Sequence, residues 1–165
     1  MPVPPKDDMN ILPTRHSPRL PGYDYAQENY YYVTICTGGH RCIFGLPENQ
    51  TLFGKIAAEE LQKIAERFSS VRLDAYVIMP NHIHAIIVIG CDMAERASPF
   101  PTLSTVIGSY KSGVSRRIHQ ISPNVTVWQK SFYDHIIRNE EGYQKIWQYI
   151  KENPLKWQLD KYYSL

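Results

Sequence analysis

The stretch Val71–Ile89, which reads VRLDAYVIMPNHIHAIIVI, decides the fold of this chain. It contains two runs rich in β-branched residues, Val71–Met79 and His82–Ile89, and such runs favour strands. The Pro80-Asn81 dipeptide between them is typical of a turn. The sequence therefore predicts an antiparallel hairpin. Its second strand is apolar on both faces apart from two histidines, so we expect that strand to be buried.

The two histidines of this strand, His82 and His84, are two positions apart. Because the side chains of a strand alternate between its faces, we expect both imidazoles to point the same way, with Cα atoms about 6.5–7 Å apart. That spacing allows the two rings to share one metal ion. It also fits two hydrogen-bonded core histidines, since buried polar groups need partners. The spacing alone leaves both interpretations open.

The periodicities around the hairpin predict five further elements. Runs of β-branched and aromatic residues predict strands, and apolar residues at helical spacing predict helices. In chain order they are a strand over residues 30–37, a helix over about 51–68, a helix over 103 to about 120, a strand over 127–137 and a helix over 140 to about 153. Together with the hairpin, the order is βαββαβ followed by a helix. This order predicts an α+β fold: a ferredoxin-like antiparallel sheet with helices on one face, plus a C-terminal helix.

Length and composition indicate one globular domain of 165 residues, with 43% hydrophobic and 21% charged residues. Half of the 12 prolines fall in the first 21 residues, which predicts a Pro-rich N-terminal arm over residues 1–22 and a domain over 23–165. No apolar run of about 18 residues predicts a membrane span, and the first residues do not resemble a signal peptide. Three cysteines exclude a fully paired disulfide framework. We therefore expect a cytoplasmic protein.

Charge is distributed unevenly along the chain. The net charge is +2, but residues 1–105 carry −2 and residues 106–165 carry +4. A basic C-terminal third favours contact with a polyanion there, although many solvated helices carry such a surplus. The predicted phosphate contacts are eight of the nine lysines and arginines of that third: Lys111, Arg116, Arg117, Lys130, Arg138, Lys145, Lys151 and Lys156.

The last predicted helix carries the second chemically distinctive pattern. Tyr149 and Asn153 are four residues apart and therefore share one helix face. Asn153 falls in the last turn, where the helix dipole and the free carbonyls favour a cation. Its amide oxygen would complete a metal site with two imidazoles. The alternatives are a core aromatic at Tyr149 and a C-terminal cap at Asn153 before Pro154.

Taken together, these patterns resemble a known family. A His-Ile-His strand followed by a helix with Tyr-x-x-x-Asn-Pro resembles the single-tyrosine HUH transposases. More narrowly, Val77–His84, Trp128–Arg138 and Tyr149–Lys156 are similar to the three blocks of the REP-associated tyrosine transposases, in the same order. The resemblance covers about residues 28–157. The insertion-sequence branch usually has Gln four residues after the tyrosine, so Asn153 favours the REP-associated branch.

The resemblance implies a metal-dependent endonuclease that acts on single-stranded DNA, with hairpins nearby. Carried over by motif position, His82 and His84 would be metal ligands, Asn153 the third ligand and Tyr149 the nucleophile that forms a 5′-phosphotyrosine. The family metal is Mg²⁺ or Mn²⁺. His135, in the second block, would support these residues from behind; the alternative is a histidine packed elsewhere or at the rim of the sheet. Family members act as monomers or homodimers, and the sequence leaves that choice open.

Three functions fit these features. The first is an active transposase that cleaves and rejoins single-stranded DNA. The second is a DNA-binding module of the same fold that no longer cuts. The third is a metal hydrolase unrelated to DNA, which the basic C-terminal third disfavours.

Overall fold

The structure, a computed structural model, describes residues 29–90 and 100–164. The arm predicted for residues 1–22 lies outside the described residues, as does most of the loop between the hairpin and the next helix. Within the described ranges, no helix is long and apolar enough to cross a membrane.

A four-stranded antiparallel sheet forms the centre of the fold. Its strands are β1 (Asn29–Cys36), β2 (Val71–Met79), β3 (His82–Ile89) and β4 (Tyr133–Ile137). Their spatial order is β2-β3-β1-β4, so β3 and β1 are the inner strands. The predicted hairpin is confirmed with the predicted bounds, and its strands pair in antiparallel register. This order agrees with the ferredoxin-like α+β prediction.

Four α-helices accompany the sheet in the described residues. They are α1 (Leu52–Gln62), α2 (Ile64–Arg67), α3 (Leu103–Ile121) and α4 (Glu140–Glu152). The three long helices begin at the N-cap side chains Thr51, Thr102 and Asn139, each of which accepts a hydrogen bond from the backbone N–H three residues later. These bonds satisfy N–H groups that the first helical turn leaves unpaired.

The alternation of side chains along β1 divides the interior into two parts. Tyr31 and Val33 point to the face that α1 and α3 cover, where they belong to the larger core. Tyr32 points to the other face, where it joins a smaller cluster with Ile146 and Ile150 of α4. The sheet is therefore covered on both sides, with α4 on the side of the smaller cluster.

The helix predicted over 51–68 is interrupted. Lys63 has φ −72° and ψ −9° and separates α1 from α2, and Phe68 has already left the helix with extended backbone. The chain between β1 and α1 also contains a short hairpin, Gly45–Leu46 with Asn49–Gln50, which the sequence did not predict.

The strand predicted over 127–137 is wrong in its first half, because β4 begins only at Tyr133. The residues before it give their carbonyl groups to a side chain: Lys111 Nζ donates to the carbonyl oxygens of Gln129 (2.7 Å) and Ser131 (3.1 Å). These carbonyls are therefore not available to a continuous ladder. Burial lowers the pKa of Lys111 to about 8.

The last helix is longer than predicted in one respect. After α4 ends at Glu152, the chain continues as a 3₁₀ segment over Asn153–Leu159. Asn153 keeps helical backbone angles, φ −55° and ψ −42°, although a residue before proline usually avoids that region. Pro154 is accommodated because it starts the new segment, where its missing N–H is not needed.

A buried carboxylate, Glu60, joins the helices on the larger-core face. Its side chain is only 2% exposed and accepts hydrogen bonds from Lys63, Arg67 and Arg117. A Cβ at Gly113 of α3 would lie 2.6 Å from Glu60 Oε2, so the glycine allows the approach of α3. Burial raises the pKa of Glu60, but the three cationic donors outweigh it and lower the pKa to about 2.

We predict that Glu60→Gln lowers the free energy of unfolding by about 2 kcal/mol at pH 7, because it leaves cations beside a buried amide. The matched control is Glu59→Gln, whose carboxylate pairs with Arg117 but is 58% exposed, and which should cost well under about 1 kcal/mol.

The pH dependence has a definite sign. The ordinary pKa is 4.5 and the folded value is about 2, so the advantage of the wild type over Glu60→Gln is complete above pH 4.5 and shrinks as the pH falls towards 2. Urea unfolding at several pH values measures it. Equal losses in the two variants would contradict the role given to Glu60.

Candidate active site

Two histidines meet at the start of β3, on the face of the sheet that α4 covers. The register places His82 opposite Cys36 and His84 opposite Thr34. Both side chains are fully buried, and their Nε2 atoms are 3.1 Å apart. The predicted common orientation of the two imidazoles is thus observed, and both rings present the same nitrogen to one point.

Neighbouring polar groups fix the orientation of His82. Asn81 Nδ2 donates to the carbonyl oxygens of His40 (3.2 Å) and Tyr162 (2.7 Å), which leaves Asn81 Oδ1 as the acceptor on His82 Nδ1 at 2.8 Å. The proton of His82 therefore lies on Nδ1, and Nε2 keeps its lone pair. This is the tautomer of a histidine that binds a metal through Nε2.

His84 is held by two hydroxyl groups. Tyr32 Oη and Thr34 Oγ1 each lie 2.9 Å from His84 Nδ1. A hydroxyl can accept the proton of Nδ1, and His84 Nε2 is then available for a metal in the same way. Burial lowers the pKa of His84 well below its usual value, with a further contribution from His82. Burial also lowers the pKa of His82, against an opposing effect of Asp160. Both rings are therefore neutral at pH 7, the form that binds metals.

A carboxylate completes this group. Asp160 Oδ2 lies 3.4 Å from His82 Nε2, and its side chain is only 1% exposed. One ligand atom from each of His82, His84 and Asp160 can be chosen so that all three lie within 4.8 Å of one another. Asp160 was not predicted from the sequence, because this residue follows α4 by eight positions in a segment with no recognisable spacing.

Two buried oxygens at this place have no hydrogen-bond partner within residues 29–90 and 100–164. They are Asp160 Oδ2 and Asn153 Oδ1. Buried polar atoms are normally satisfied, so an unsatisfied carboxylate oxygen beside two imidazole nitrogens points to a cation. Nitrogen and oxygen donors in this combination suit Mn²⁺ and, with water, Mg²⁺. The residues present therefore fit a divalent metal.

Tyr149 of α4 lies beside the histidines. Its ring is 5.5 Å from the ring of His84, measured between centroids. Burial raises the pKa of Tyr149 well above its usual value, and the Asp160 carboxylate adds to this, whereas a hydrogen bond with Asn153 opposes it. The phenol is therefore protonated at rest. The structure brings together Tyr149, Asn153 and both histidines, the four residues that the sequence singled out for chemistry.

The end of the chain covers this group. The ring of Tyr162 lies 4.6 Å from the ring of His82, and the ring of Trp157 lies 6.1 Å from it. The carbonyl of Tyr162 also accepts the hydrogen bond from Asn81 described above. The segment Trp157–Ser164 thus covers the site. The sequence prediction ended its last element at about Asn153 and did not include this segment.

Most of the predicted phosphate contacts have partners inside the protein. Lys111 is bound to backbone carbonyls, as described above, and Arg117 pairs with Glu59 and Glu60. Three more have partners as well: Lys145 pairs with Glu141, Lys156 pairs with Glu152, and Lys151 lies over the ring of Trp147.

Three of the basic candidates, Arg116, Lys130 and Arg138, are exposed. They are better placed to meet a polyanion than Lys111, whose ammonium group donates to backbone carbonyls of the protein. Their role in binding stays a prediction.

His135 lies on the correct face of the sheet for its predicted place. It pairs in register with Tyr32, and Tyr133 pairs with Thr34, so both side chains share the face of the histidine pair. Asp134, which lies between them and pairs with Val33, points to the opposite face. The role of His135 behind the site stays a prediction.

Known proteins resemble this chain over most of its length. The family model of IS200-like transposases matches residues 40–153. An uncharacterized protein of Haemophilus influenzae is 35% identical over an alignment 167 residues long. The alignment covers 90% of this chain and 93% of that protein.

Two solved structures are similar in fold. One is a REP-associated tyrosine transposase bound to a REP hairpin, with a TM-score of 0.61 and 18% identity over 84% of this chain and 73% of the other. The second is a candidate transposase from Deinococcus radiodurans R1, with a TM-score of 0.51 and 18% identity over 81% of this chain and 95% of the other. The family match confirms the resemblance drawn from the three sequence blocks.

We predict that Asp160→Asn weakens Mn²⁺ binding at least tenfold, because an amide replaces the one carboxylate of the His82, His84 and Asp160 group. Titration calorimetry with Mn²⁺ alone measures it. The control is Asp74→Asn, which removes a carboxylate that pairs with Arg72 instead. Undiminished affinity in Asp160→Asn, with a loss in Asn153→Ala, would assign the third ligand to Asn153 as the sequence predicted.

Proposed function

Because this chain belongs to the IS200-like transposase family, we propose that it cleaves and rejoins single-stranded DNA near hairpins, with Tyr149 as the nucleophile. Membership makes it a protein of a class that acts on DNA. The covalent mechanism, the metal and the form of the DNA are the proposal. The observation that carries it is the contact of Tyr149 with His84, whose Nε2 atom converges with that of His82.

His82 and His84 would hold the metal through Nε2, with an oxygen from Asp160 or Asn153 as the third ligand. Bound Mg²⁺ or Mn²⁺ supplies a Lewis acid that neutralises charge on the non-bridging oxygens of a phosphodiester. The protein contributes orientation. Asn81, Tyr32 and Thr34 hold the two rings so that no side-chain rotation is needed when the site loads.

In the proposed reaction, the oxygen of Tyr149 attacks phosphorus and forms a phosphotyrosyl bond to the 5′ side. The bond from phosphorus to the 3′ oxygen breaks, and the phenolic proton is balanced by the proton that the leaving 3′ oxygen gains. Attack by a 3′-OH on the phosphotyrosine reverses these changes. Because one phosphodiester is exchanged for another and none is hydrolysed, rejoining needs no nucleoside triphosphate.

The raised pKa of Tyr149 matters for this step. A buried phenol that keeps its proton at neutral pH is a weak nucleophile, so Tyr149 has to lose that proton as its oxygen attacks phosphorus. Alignment of the oxygen with the scissile bond then supplies much of the rate enhancement. Helix α4, which carries Tyr149, provides that alignment.

The second candidate function is a DNA-binding module of the same fold that does not cut. One observation favours it: the segment Trp157–Ser164 covers both histidines, whose side chains are fully buried. A phosphate has to displace part of that segment to reach Nε2. The metal hydrolase unrelated to DNA is set aside by the family membership.

The DNA partner in this proposal contains a hairpin. Support comes from the fold relative that was solved bound to a REP hairpin and from the Asn at position 153, four residues after the tyrosine. We propose the bacterial cytoplasm as its location, because that is where it would meet such DNA. Both a monomer and a homodimer are compatible with the site, because the four chemically important residues come from one chain.

We predict that the wild type forms a covalent adduct with a labelled single-stranded hairpin DNA in Mn²⁺, and that Tyr149→Phe forms none. The adduct is measured as a shifted band on a denaturing gel. The matched control is Tyr143→Phe on the same helix, whose hydroxyl donates to Asp74 at 3.0 Å and does not face the histidines. We expect it to keep adduct formation within a few-fold of the wild type.

The outcomes separate the candidates. An adduct that persists in Tyr149→Phe contradicts the assigned nucleophile. Binding of the hairpin DNA by the wild type without any adduct supports the silent DNA-binding module.

A further inference from the structure

A groove of about 530 Å³ opens next to the histidine site. One wall is the turn Gly38–His40, and the other wall is formed by the irregular segment before β4 together with Tyr133. The turn follows β1, whose last residue Cys36 pairs with His82. The groove therefore lies at the same end of the sheet as the proposed chemistry.

Aromatic contacts connect the groove with the site. The ring of His40 stacks on Tyr162 at 5.9 Å with an interplanar angle of 17°, and Tyr162 contacts His82 at 4.6 Å. One ring thus separates a groove wall from a proposed metal ligand. A DNA strand with its phosphate at the histidines would have a neighbouring nucleotide within reach of this groove.

The groove offers the surfaces that an unpaired base requires. Trp128 and Tyr133 line it and present aromatic rings on which a base can stack. Trp128 is held firmly, because its Nε1 donates to the carbonyl of Lys111 and its ring packs against Phe44 and Tyr110. A fixed platform costs little ordering when a base binds.

Two polar side chains in the groove can read a base edge. Gln129 Nε2 lies 2.8 Å from His40 Nε2, and this bond uses one N–H of the amide. Within the described ranges, the second N–H of the side-chain amide and its oxygen Oε1 have no partner, whereas the backbone carbonyl of Gln129 accepts from Lys111. A Gln amide with both groups available can bind adenine in a bidentate manner. The exposed Lys130 lies at the same groove and is placed for a phosphate.

The backbone at the groove wall is specialised as well. Gly39 has φ +64°, and a Cβ placed on it would meet no atom within 4 Å, so the glycine leaves the wall open. His40 has φ 53°, the only positive φ outside glycine in the described residues. A non-glycine residue in this region is strained and is retained where its side chain has a task. Here that side chain faces Gln129.

We propose that this groove binds one unpaired base of the DNA strand, adjacent to the scissile phosphate, and that Gln129 and His40 select which base is accepted. The inference rests on the proposed function and adds a specificity site to it. The base stacks on the aromatic platform, Gln129 hydrogen-bonds its edge, and Lys130 contacts the neighbouring phosphate.

The test uses hairpin oligonucleotides that carry 2-aminopurine at one flanking position at a time, with the Tyr149→Phe protein so that no cleavage is needed. We expect quenching at one position next to the cleavage point. In the same background, Gln129→Ala should lower affinity about tenfold for the preferred base there and less than about twofold for the other three. Gln62→Ala is the control, because its amide binds Tyr76 at a distance from the groove.

The result that overturns the proposal is an equal change for all four bases in Gln129→Ala, or an unchanged base preference. Its failure differs from that of the proposed function. If the hairpins bind with a Gln129-dependent preference but the wild type forms no adduct, the groove stands and the cleavage reaction fails. If the adduct forms and the preference ignores Gln129, the groove fails alone. No binding of any hairpin overturns both.

Discussion

The site depends on one constraint: β3 is an inner strand with apolar neighbours on both faces, yet two of its side chains are imidazoles. A polar ring in such a position needs partners, and the Nδ1 atoms of His82 and His84 find theirs in two parts of the chain. Asn81 comes from the turn, and Tyr32 and Thr34 come from β1. The demand for satisfaction thus gathers the site, and it leaves both Nε2 atoms for a ligand.

Local periodicity was enough to predict the parts of the fold that local contacts determine. The hairpin from Val71 to Ile89 needed only two β-branched runs and a turn dipeptide, and the shared face of His82 and His84 followed from the geometry of any strand. The position of Tyr149 on a face of the last helix followed from helical spacing. Each run of residues indicated its own helix or strand, and the order of these elements predicted the fold class.

The errors and omissions share a long-range cause. Residues 127–132 have strand-like composition, but Lys111, about 20 positions earlier, binds the carbonyls of two of them, Gln129 and Ser131. Pro154 was taken to end the last helix, but the chain turns there and returns over the histidines. Asp160 belongs to that return and has no sequence signature. Several cations expected to meet DNA are engaged with carboxylates of their own helix or its neighbour, which charge counting along a sequence does not reveal.

The unequal cover of the two sheet faces has a consequence for motion. Helix α3 buries seven residues in the larger core, whereas α4 buries only Ile146 and Ile150. Segments with few buried apolar contacts open at the lowest free energy, independently of the rest of the molecule. Tyr149 is therefore carried by the long helix with the fewest buried residues, and the backbone amides of α4 should exchange with solvent before those of α3. Helix α4 can be repositioned while the other face of the sheet stays folded.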